Sequence, residues 1–390
     1  MQRMTEAHLP QELLVEILKR LPAKSLLRFR SVSKSWRSTI SSPEFITLHR
    51  NHNINNTRVL VSYYPSELRA LLHYDNDAFE LDTKIEFPFE RLSRYYRIVG
   101  SCNGLICVGC NLVSCASDLF LWNPSIRRIL TLPTPGITFK SHGAYMLALG
   151  FGFDSKRRDY KVVRIVYLQG RNGFNKVPPE VELYELSTGT WRGISIVAPP
   201  YEMCDYSLQA NMNGAVHWIA YSPTKINGLR SLIVAFDLSD DVFKEMRLPK
   251  TLSHEYPADL SIAACGELLS LFHYNLSSPV RCCGVWVMEK YGMDNSWTKL
   301  FNIELLQGVS AVLGSRKNGE LLVVTSDNKL VSYDPDDEQV KDLGIRKSTT
   351  SLNVNTYTGS LILLDRTYGV LSYSSVPDLN LWSIELFFSP

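Results

Sequence analysis

Four cysteines come closest to a recognisable chemical spacing: Cys102, Cys107, Cys110 and Cys115. The Cys107-x-x-Cys110 pair has the spacing of two metal ligands. A zinc site needs four ligands that converge, whereas neighbouring residues of a β-strand point to opposite faces of a sheet. A free cysteine is more often a small buried apolar residue. The pattern therefore favours a structural role, and we expect neither a metal ion nor a cofactor.

The usual signatures of catalysis are missing from the sequence. None of the eight histidines forms an H-E-x-x-H pair, and neither a G-x-S-x-G elbow nor a phosphate-binding P-loop occurs. Gly150-Phe151-Gly152 lacks the third glycine and the helix that a dinucleotide site requires. His217 stands beside Trp218 in an apolar run, which is more typical of a core residue than of a catalyst. We therefore predict a non-enzymatic protein, with an enzyme or a glycan binder as one alternative.

Composition and charge narrow the classes of partner. The 390 residues include 41 basic and 39 acidic side chains, so no overall field indicates a nucleic-acid or membrane partner. Residues 1–50 hold nine Lys or Arg and four Asp or Glu, which indicates a basic module with an acidic partner, or a solvated face. Met1–Pro10 lacks an apolar signal core, and no apolar run reaches the roughly 18 residues of a membrane span. We expect an intracellular protein, in the cytoplasm, the nucleus or both.

The elements that must position any functional residue begin with short helices. Leu13, Ile17 and Leu21 recur every four residues, and Leu14 and Leu18 fill the neighbouring row of one wide apolar stripe. A proline ends this helix, and further short helices follow. A module of about forty residues buries too little surface to be stable alone. Either a partner or the rest of the same chain must therefore cover these helices.

Residues 9–36 read LPQELLVEILKRLPAKSLLRFRSVSKSW and resemble the F-box motif in its plant form. The resemblance covers the whole motif. It implies docking on the Skp-type adaptor of a ubiquitin ligase and, through the adaptor, assembly with a cullin and a RING protein. Some motif positions face the adaptor and others build the core of the motif, with contact expected first from Leu9, Pro10, Ile17 and Leu21. The candidate adaptor-binding residues are Leu9, Pro10, Leu13, Ile17, Leu18, Leu21, Pro22, Leu26, Leu27, Val32 and Trp36.

From residue 58 onward, short β-type runs alternate with turn residues. Many runs end in an aromatic anchor, and the anchors are Tyr74, Trp122, Tyr184, Phe236, Trp286, Tyr333 and Tyr373. An apolar residue often follows on the far side of a turn, which predicts cross-hairpin pairs. The pairs are Trp122–Ile129, Tyr184–Trp191, Phe236–Phe243 and Tyr333–Val340, with weaker copies at Tyr74–Leu81 and Trp286–Trp297. Asn103-Gly104 and Asn213-Gly214 add strong hairpin turns.

The repeat predicts the fold class. Each unit amounts to two hairpins in about fifty residues, which is the length of a propeller blade. We therefore predict a small all-α module over residues 1–50, a linker over 51–57 and an all-β propeller over 58–390. Seven anchors favour about seven blades, with six as the alternative, and a flat sandwich is the second choice of fold.

Residues 100–345 also resemble the F-box-associated region of plant F-box/kelch-type proteins. The motifs that carry the resemblance are Gly100-Ser101-Cys102-Asn103-Gly104-Leu105, Leu121-Trp122-Asn123-Pro124, Gly150-Phe151-Gly152-Phe153-Asp154 and Asp159-Tyr160-Lys161-Val162-Val163. Strict kelch double-glycine repeats are absent, so the resemblance is to the associated-domain variant. It implies a receptor subunit without catalytic residues of its own.

Long segments between the strands are the predicted target-binding regions. Loops on a rigid scaffold commonly carry recognition, and exposed aromatic side chains often anchor interfaces. The candidates are Phe139, Phe174, Tyr201, Tyr206, Tyr221 and Tyr256. Together with the F-box resemblance, these loops predict a substrate-recognition subunit of an SCF-type ligase that binds an unidentified target protein. A protein-interaction module that does not promote degradation is the alternative.

Overall fold

The computed structural model describes most of the chain. The described residues are 10–53, 56–64, 69–86, 96–110, 118–170, 178–194, 198–203, 209–224, 228–275, 282–346, 351–364 and 370–372. Short helices come first, and a body of β-strands follows them. None of the helices in these ranges is long and apolar enough to cross a membrane.

Four short helices form the N-terminal module. They are α1 Gln11–Leu18, α2 Ala23–Phe29, α3 Lys34–Ser41 and α4 Pro43–His52. Ser33 caps α3 by accepting a hydrogen bond from the Trp36 amide at 3.1 Å, and Ser42 caps α4 through the Phe45 amide at 3.2 Å. Pro43 occupies the first turn of α4, where no N–H is needed. Local sequence therefore sets the starts of the last two helices.

The rest of the described chain forms six antiparallel sheets. Their strands are β1 Thr57–Tyr64, β2 Arg69–Tyr74, β3 Leu81–Glu86, β4 Tyr96–Cys102, β5 Leu105–Cys110, β6 Leu119–Asn123, β7 Arg128–Thr131, β8 Tyr145–Asp154, β9 Asp159–Leu168, β10 Glu180–Glu185, β11 Thr190–Gly193, β12 Glu202–Met203, β13 Ala210–Met212, β14 Ala215–Thr224, β15 Gly228–Asp237, β16 Val242–Arg247, β17 Leu260–Cys265, β18 Leu268–Asn275, β19 Cys282–Met288, β20 Trp297–Ile303, β21 Val309–Ser315, β22 Leu321–Thr325, β23 Lys329–Tyr333, β24 Val340–Arg346, β25 Ser351–Thr358 and β26 Val370–Ser372. A one-turn helix, α5 Phe139–His142, lies between β7 and β8.

The six sheets are the blades of a closed propeller. Blade 1 contains β25, β1, β2 and β3, blade 2 contains β4–β7 and β26, and blade 3 contains β8–β11. Blades 4, 5 and 6 contain β12–β16, β17–β20 and β21–β24. Innermost strands contact each other around the ring, including β25 with β4, β4 with β8, β17 with β21 and β21 with β25. The blades therefore surround a common axis.

The C-terminal part of the described chain closes the ring. Strand β25 is the innermost strand of blade 1, where Asn355 lies opposite Leu60 of β1. Strand β26 then adds a fifth strand to blade 2, where Leu371 lies opposite Ile129 of β7. Two blades are thus completed by strands from distant parts of the sequence.

The number of blades corrects the sequence-based preference. Six aromatic anchors lie on the third strand of their blades: Tyr74, Trp122, Tyr184, Phe236, Trp286 and Tyr333. The seventh anchor, Tyr373, lies outside the described residues, and β26 immediately before it joins blade 2. The expectation of about seven blades is therefore wrong and the alternative of six is right. The C-terminal strands join blades 1 and 2 instead of forming a seventh blade. The second choice of fold, a flat sandwich, is wrong as well, because the sheets surround a common axis.

Four of the predicted cross-hairpin pairs are confirmed. The facing residues are Trp122 with Ile129, Tyr184 with Trp191, Phe236 with Phe243, and Tyr333 with Val340. The two weaker pairs are wrong. A register irregularity places His73 opposite Leu81, and Trp297 lies opposite Met288. An irregularity of this kind shifts which residues face each other across a hairpin.

A glycine in blade 3 makes room for the neighbouring blade. A Cβ atom on Gly150 would lie 2.4 Å from the Trp218 ring, which belongs to blade 4. The Trp218 indole N–H donates to the Leu149 carbonyl at 2.9 Å. The Gly-Phe-Gly motif is therefore explained by packing between blades, because only a glycine allows this ring so close to the strand.

A buried ion cluster joins blades 3 and 4. The Lys161 Nζ lies 2.9 Å from an Asp154 carboxylate oxygen and 2.8 Å from one of Asp241, which sits in the turn of blade 4. The side chains of Lys161 and Asp154 are fully buried. Burial alone would raise the pKa of Asp154, but a hydrogen bond from the Arg157 amide and the contact with Lys161 outweigh it and lower that pKa to about 2. The Asp154 carboxylate is thus held ionised by its partners.

Candidate functional site

The connections between strands separate onto two faces of the ring. Successive strands run in opposite directions, so the connections from the outermost strand of one blade to the innermost strand of the next share one face with the turns between second and third strands. We call it the open face, and it carries segments 132–144, 248–259 and 304–308. The remaining turns lie on the opposite side, which we call the docked face because the N-terminal helices pack there.

A continuous apolar core joins the N-terminal module to the docked face. Leu26 of α2 packs in one buried cluster with Ile126, which lies in the turn between β6 and β7, and with Leu361 after β25. The Arg50 guanidinium of α4 lies 4.8 Å from the centre of the Phe153 ring, a cation–π contact. The sequence left open whether a partner or the rest of the chain covers the helices. The propeller of the same chain covers one side of the module.

The other side of the module exposes apolar side chains. Leu13 is 53% exposed, Ile17 is 50% exposed and Val32 is 62% exposed. Pro10 and Pro22 are exposed as well. All five belong to the predicted adaptor-binding set. Large apolar residues grouped on one small module are typical of a surface that a partner covers.

The remaining residues of the predicted set divide between core and margin. Leu18 and Leu26 are completely buried. Leu21, Leu27 and Trp36 are half-buried and pack against the same core. Leu9 lies outside the described residues. The two fully buried side chains therefore build the core of the module rather than a contact surface, and adaptor contact by the others stays a prediction.

A buried histidine fixes the helices relative to each other. The His49 Nε2–H of α4 donates to the Leu21 carbonyl at 2.9 Å, at the junction between α1 and α2. Burial lowers the pKa of His49, which favours the neutral ring that makes this bond. The exposed row on α1 is therefore held in a fixed orientation to α4 and, through α4, to the propeller.

Two of the predicted target-binding residues expose their rings on the open face. Tyr256 is 67% exposed in segment 248–259, and Phe139 is 46% exposed on α5. Leu306 is 98% exposed in segment 304–308, on the same face. Sequence reasoning missed Leu306 because it sought aromatic residues in long loops, whereas this leucine follows another in a five-residue connection. The only signal was a pair of leucines between two strands.

The other predicted target-binding residues are engaged or undescribed. Tyr201 and Tyr221 are half-buried, and their hydroxyls donate to Glu245 and Glu202, each at 3.0 Å. Phe174 and Tyr206 lie outside the described residues. Of the predicted residues, the structure therefore leaves Tyr256 and Phe139 accessible on the open face, and it adds Leu306.

The segment that carries Phe139 is pinned by a buried ion pair. Glu182 accepts hydrogen bonds from the backbone amides of Gly136 at 2.7 Å and Ile137 at 3.1 Å. Its other carboxylate oxygen accepts from the fully buried Arg164, which also donates to the Ile137 carbonyl. The segment is therefore attached to blade 3 by its backbone, which fixes the base from which the Phe139 ring projects.

Glu182→Gln is expected to loosen this segment. The substitution leaves the Arg164 guanidinium without its counter-charge and weakens both amide bonds, so exchange of the Gly136 and Ile137 amide hydrogens should accelerate roughly tenfold or more. Hydrogen exchange of the full chain measures the effect. Glu180→Gln, at the exposed first residue of the same strand, is the control. Equal protection of the two amides in both variants would contradict the anchoring role.

The cysteines do not gather into a ligand set in the part of the chain that is described. Cys102 and Cys107 lie on paired strands, opposite Leu105 and Gly100. Burial raises the pKa of the Cys102 thiol to about 12 and raises that of Cys107 further, which disfavours the thiolate that binds metals. Among the described residues no group of three potential ligands comes together.

His217 is a core residue with both ring nitrogens engaged. Its Nδ1–H donates to the Ala210 carbonyl at 3.0 Å, and its Nε2 accepts from the Tyr291 hydroxyl at 2.8 Å. Burial lowers the pKa of His217 to about 4. The neutral ring therefore links blades 4 and 5, as the sequence predicted for a satisfied core histidine.

His217→Gln is expected to flatten the acid sensitivity of folding. An unfolded histidine titrates near pH 6.5, so its contribution to stability is complete above that value and is lost as the pH falls towards 4, in total about 3 kcal/mol. The glutamine variant should be less stable at pH 7.5 but should lose less stability on acidification. Urea unfolding at pH 7.5, 5.5 and 4.5 measures both. Parallel pH profiles for the two proteins would contradict this assignment.

Comparison with known proteins follows the division between helices and propeller. A family model described as F-box domain matches residues 7–48, and one described as F-box associated beta propeller domain matches residues 46–362. The chain is similar to F-box protein CPR1 of Arabidopsis thaliana, with 27% identity over 92% of this chain and 89% of the relative. It is also similar to F-box/kelch-repeat protein At3g23880 of the same plant, with 31% identity over 76% of this chain and 79% of the relative.

Proposed function

Because the chain belongs to the family of F-box proteins with an F-box-associated β-propeller, we propose that it is the substrate-recognition subunit of an SCF-type cullin–RING ubiquitin ligase. In this role the F-box binds a Skp-type adaptor, and the adaptor connects the chain to a cullin and a RING protein. The propeller binds the target. The chain itself supplies no catalytic group, and it acts in the cytoplasm, the nucleus or both.

The exposed apolar side chains of the F-box are the observation that carries the proposal. Leu13, Ile17 and Val32 remain exposed although the opposite side of the same helices is buried on the propeller. Intramolecular packing therefore does not account for these side chains, whereas an adaptor that covers them does. Their positions within the F-box match support a Skp-type adaptor as this partner.

The separation of the two faces supports a receptor. The F-box occupies the docked face, and the exposed Tyr256, Phe139 and Leu306 lie on the open face across the ring. A target on the open face therefore does not compete with the adaptor for surface. Because the F-box shares a core with the propeller, a bound target is held at a defined position relative to the ligase, which raises the effective concentration of its lysines.

Reconstitution with a Skp-type adaptor tests the proposal. The full chain should form a stoichiometric complex with the adaptor on a sizing column, and this complex should recruit a cullin–RING pair. Point variants suit this test better than removal of the helices, because removal would bare the apolar docked face. A chain that binds the adaptor but never recruits the cullin would support the alternative of an interaction module without a role in degradation. Absence of any adaptor complex would overturn the proposal.

A further inference from the structure

Arg30 of the F-box and Arg128 of blade 2 flank the junction between the two modules, and Arg37 is near enough to Arg30 for their charges to interact. Arg30 directly follows α2, which packs on the 3₁₀ turn Pro124–Ile126. Arg128 begins β7 two residues after that turn, and Arg37 lies on α3. We propose that Arg30, Arg37 and Arg128 form a binding site for a compact anion with phosphate groups.

The Arg30 side chain is partly buried, and one of its hydrogen-bond donors has no acceptor among the described residues. This donor is the buried Nε–H. A buried donor that has lost water and gained no acceptor costs free energy. An acceptor from outside the chain would remove that cost.

The charges around Arg30 are of its own sign. Burial lowers the pKa of its guanidinium, and the neighbouring charges of Arg37 and Arg128 lower it further. No carboxylate in the described part of the chain makes an ion pair with any of the three. The junction is therefore a concentrated positive site that favours an anion.

Two buried arginines elsewhere in the protein have acidic partners within the chain. Arg164 is paired with Glu182, and Arg316 lies 3.2 Å from Asp75 across the seam between blades 6 and 1. Each carries its counter-charge within the chain. Among the described residues the Arg30 cluster lacks one, so an anion from solution would supply a counter-charge there.

The guanidinium groups favour phosphate over a single carboxylate. A guanidinium binds two phosphate oxygens in a planar fork, and three of them suit a ligand with several phosphate oxygens. Because the cations come from two modules of one chain, a ligand that binds all three would bridge the seam. Inorganic phosphate and an inositol polyphosphate share this chemistry. The inference does not depend on adaptor binding.

Calorimetric titration of the full chain tests the site, with inositol hexakisphosphate and inorganic phosphate as separate probes at physiological salt. We expect one molecule of the hexakisphosphate to bind and to raise the melting temperature, with inorganic phosphate much weaker. Tight binding of inorganic phosphate alone would assign the site to the free ion. Arg30→Gln with Arg128→Gln should weaken binding at least tenfold.

The control variant removes two positive charges at a different place on the propeller. Lys244→Gln with Arg247→Gln changes two exposed cations of blade 4 and should leave the affinity unchanged. If Arg30→Gln with Arg128→Gln does not fold, Arg37→Gln alone, at an exposed position, should still weaken binding severalfold. Equal losses in the control, or no binding by either probe, would overturn the site. If anions fail to bind while the arginine variants weaken adaptor binding, the cluster serves an acidic protein surface instead.

Discussion

Aspartate at both Leu13 and Ile17 is expected to reduce adaptor binding about 100-fold. Full burial of one such side chain contributes about 1.5–3 kcal/mol. Because each is about half exposed in the free chain, covering both contributes about 1.5–3 kcal/mol in total, which corresponds to roughly 10- to 150-fold in the dissociation constant. The introduced carboxylates add a desolvation cost at the interface. The propeller should stay folded, because both side chains are about half exposed in the free chain. Adaptor titration of purified full-length variants measures the effect.

The matched control carries the same chemistry on the propeller. Leu300 is 51% exposed and Val340 is 45% exposed on outer strands of blades 5 and 6. Aspartate at both positions should leave adaptor affinity within about twofold. Unaltered adaptor binding by the Leu13 and Ile17 variant would remove these residues from the contact surface. Equal losses in the two double variants would indicate damage to the fold.

Lys161→Met is expected to lower the free energy of unfolding by about 3–5 kcal/mol at neutral pH. Methionine keeps most of the volume but leaves the fully buried Asp154 without the ammonium that balances it, and a buried charge without its partner is strongly destabilising. The variant also loses the connection to Asp241 of blade 4. Urea unfolding with a β-structure signal measures the change.

The effect of Lys161→Met should depend on pH in a defined direction. The pKa of Asp154 is lowered to about 2 in the folded protein, and an unfolded aspartate titrates near 3.9. Its contribution to stability is therefore complete above pH 4 and is lost as the pH falls from about 4 towards 2. Protonation of Asp154 relieves the variant as well, so the difference between the two proteins should shrink below pH 4.

Lys244→Met provides the comparison for an exposed ion pair. Lys244 lies 3.1 Å from Asp237 and its side chain is 56% exposed. Removal of such a pair should change stability by less than about 1 kcal/mol. A cost for Lys161→Met that is as small as this, or that is independent of pH, would show that the buried cluster does not stabilise the contact between blades 3 and 4.

The sequence alone determined the modules and much of the local pairing. The F-box motif, the Asn-Gly turns and the spacing between facing aromatic and apolar residues are local patterns. Asn103-Gly104 and Asn213-Gly214 indeed adopt positive φ at both positions. Four predicted pairs face each other because a hairpin brings residues of one short segment together. The motifs within residues 9–36 and 100–345 carried the family resemblance, which the comparisons support.

Only the tertiary structure decided the number of blades, the exposed residues and the faces. Strand β25 completes blade 1 by pairing with β1, which lies near the other end of the described chain. No local sequence pattern predicts this pairing. Leu13 and Leu18 lie on the same apolar stripe, yet one is exposed and the other is buried. The stripe is wider than the F-box core needs, so the way in which the helices pack on the propeller selects which row remains free. Whether a side chain is buried depends on contacts between segments that lie far apart in the sequence. The sequence of one segment therefore does not determine it.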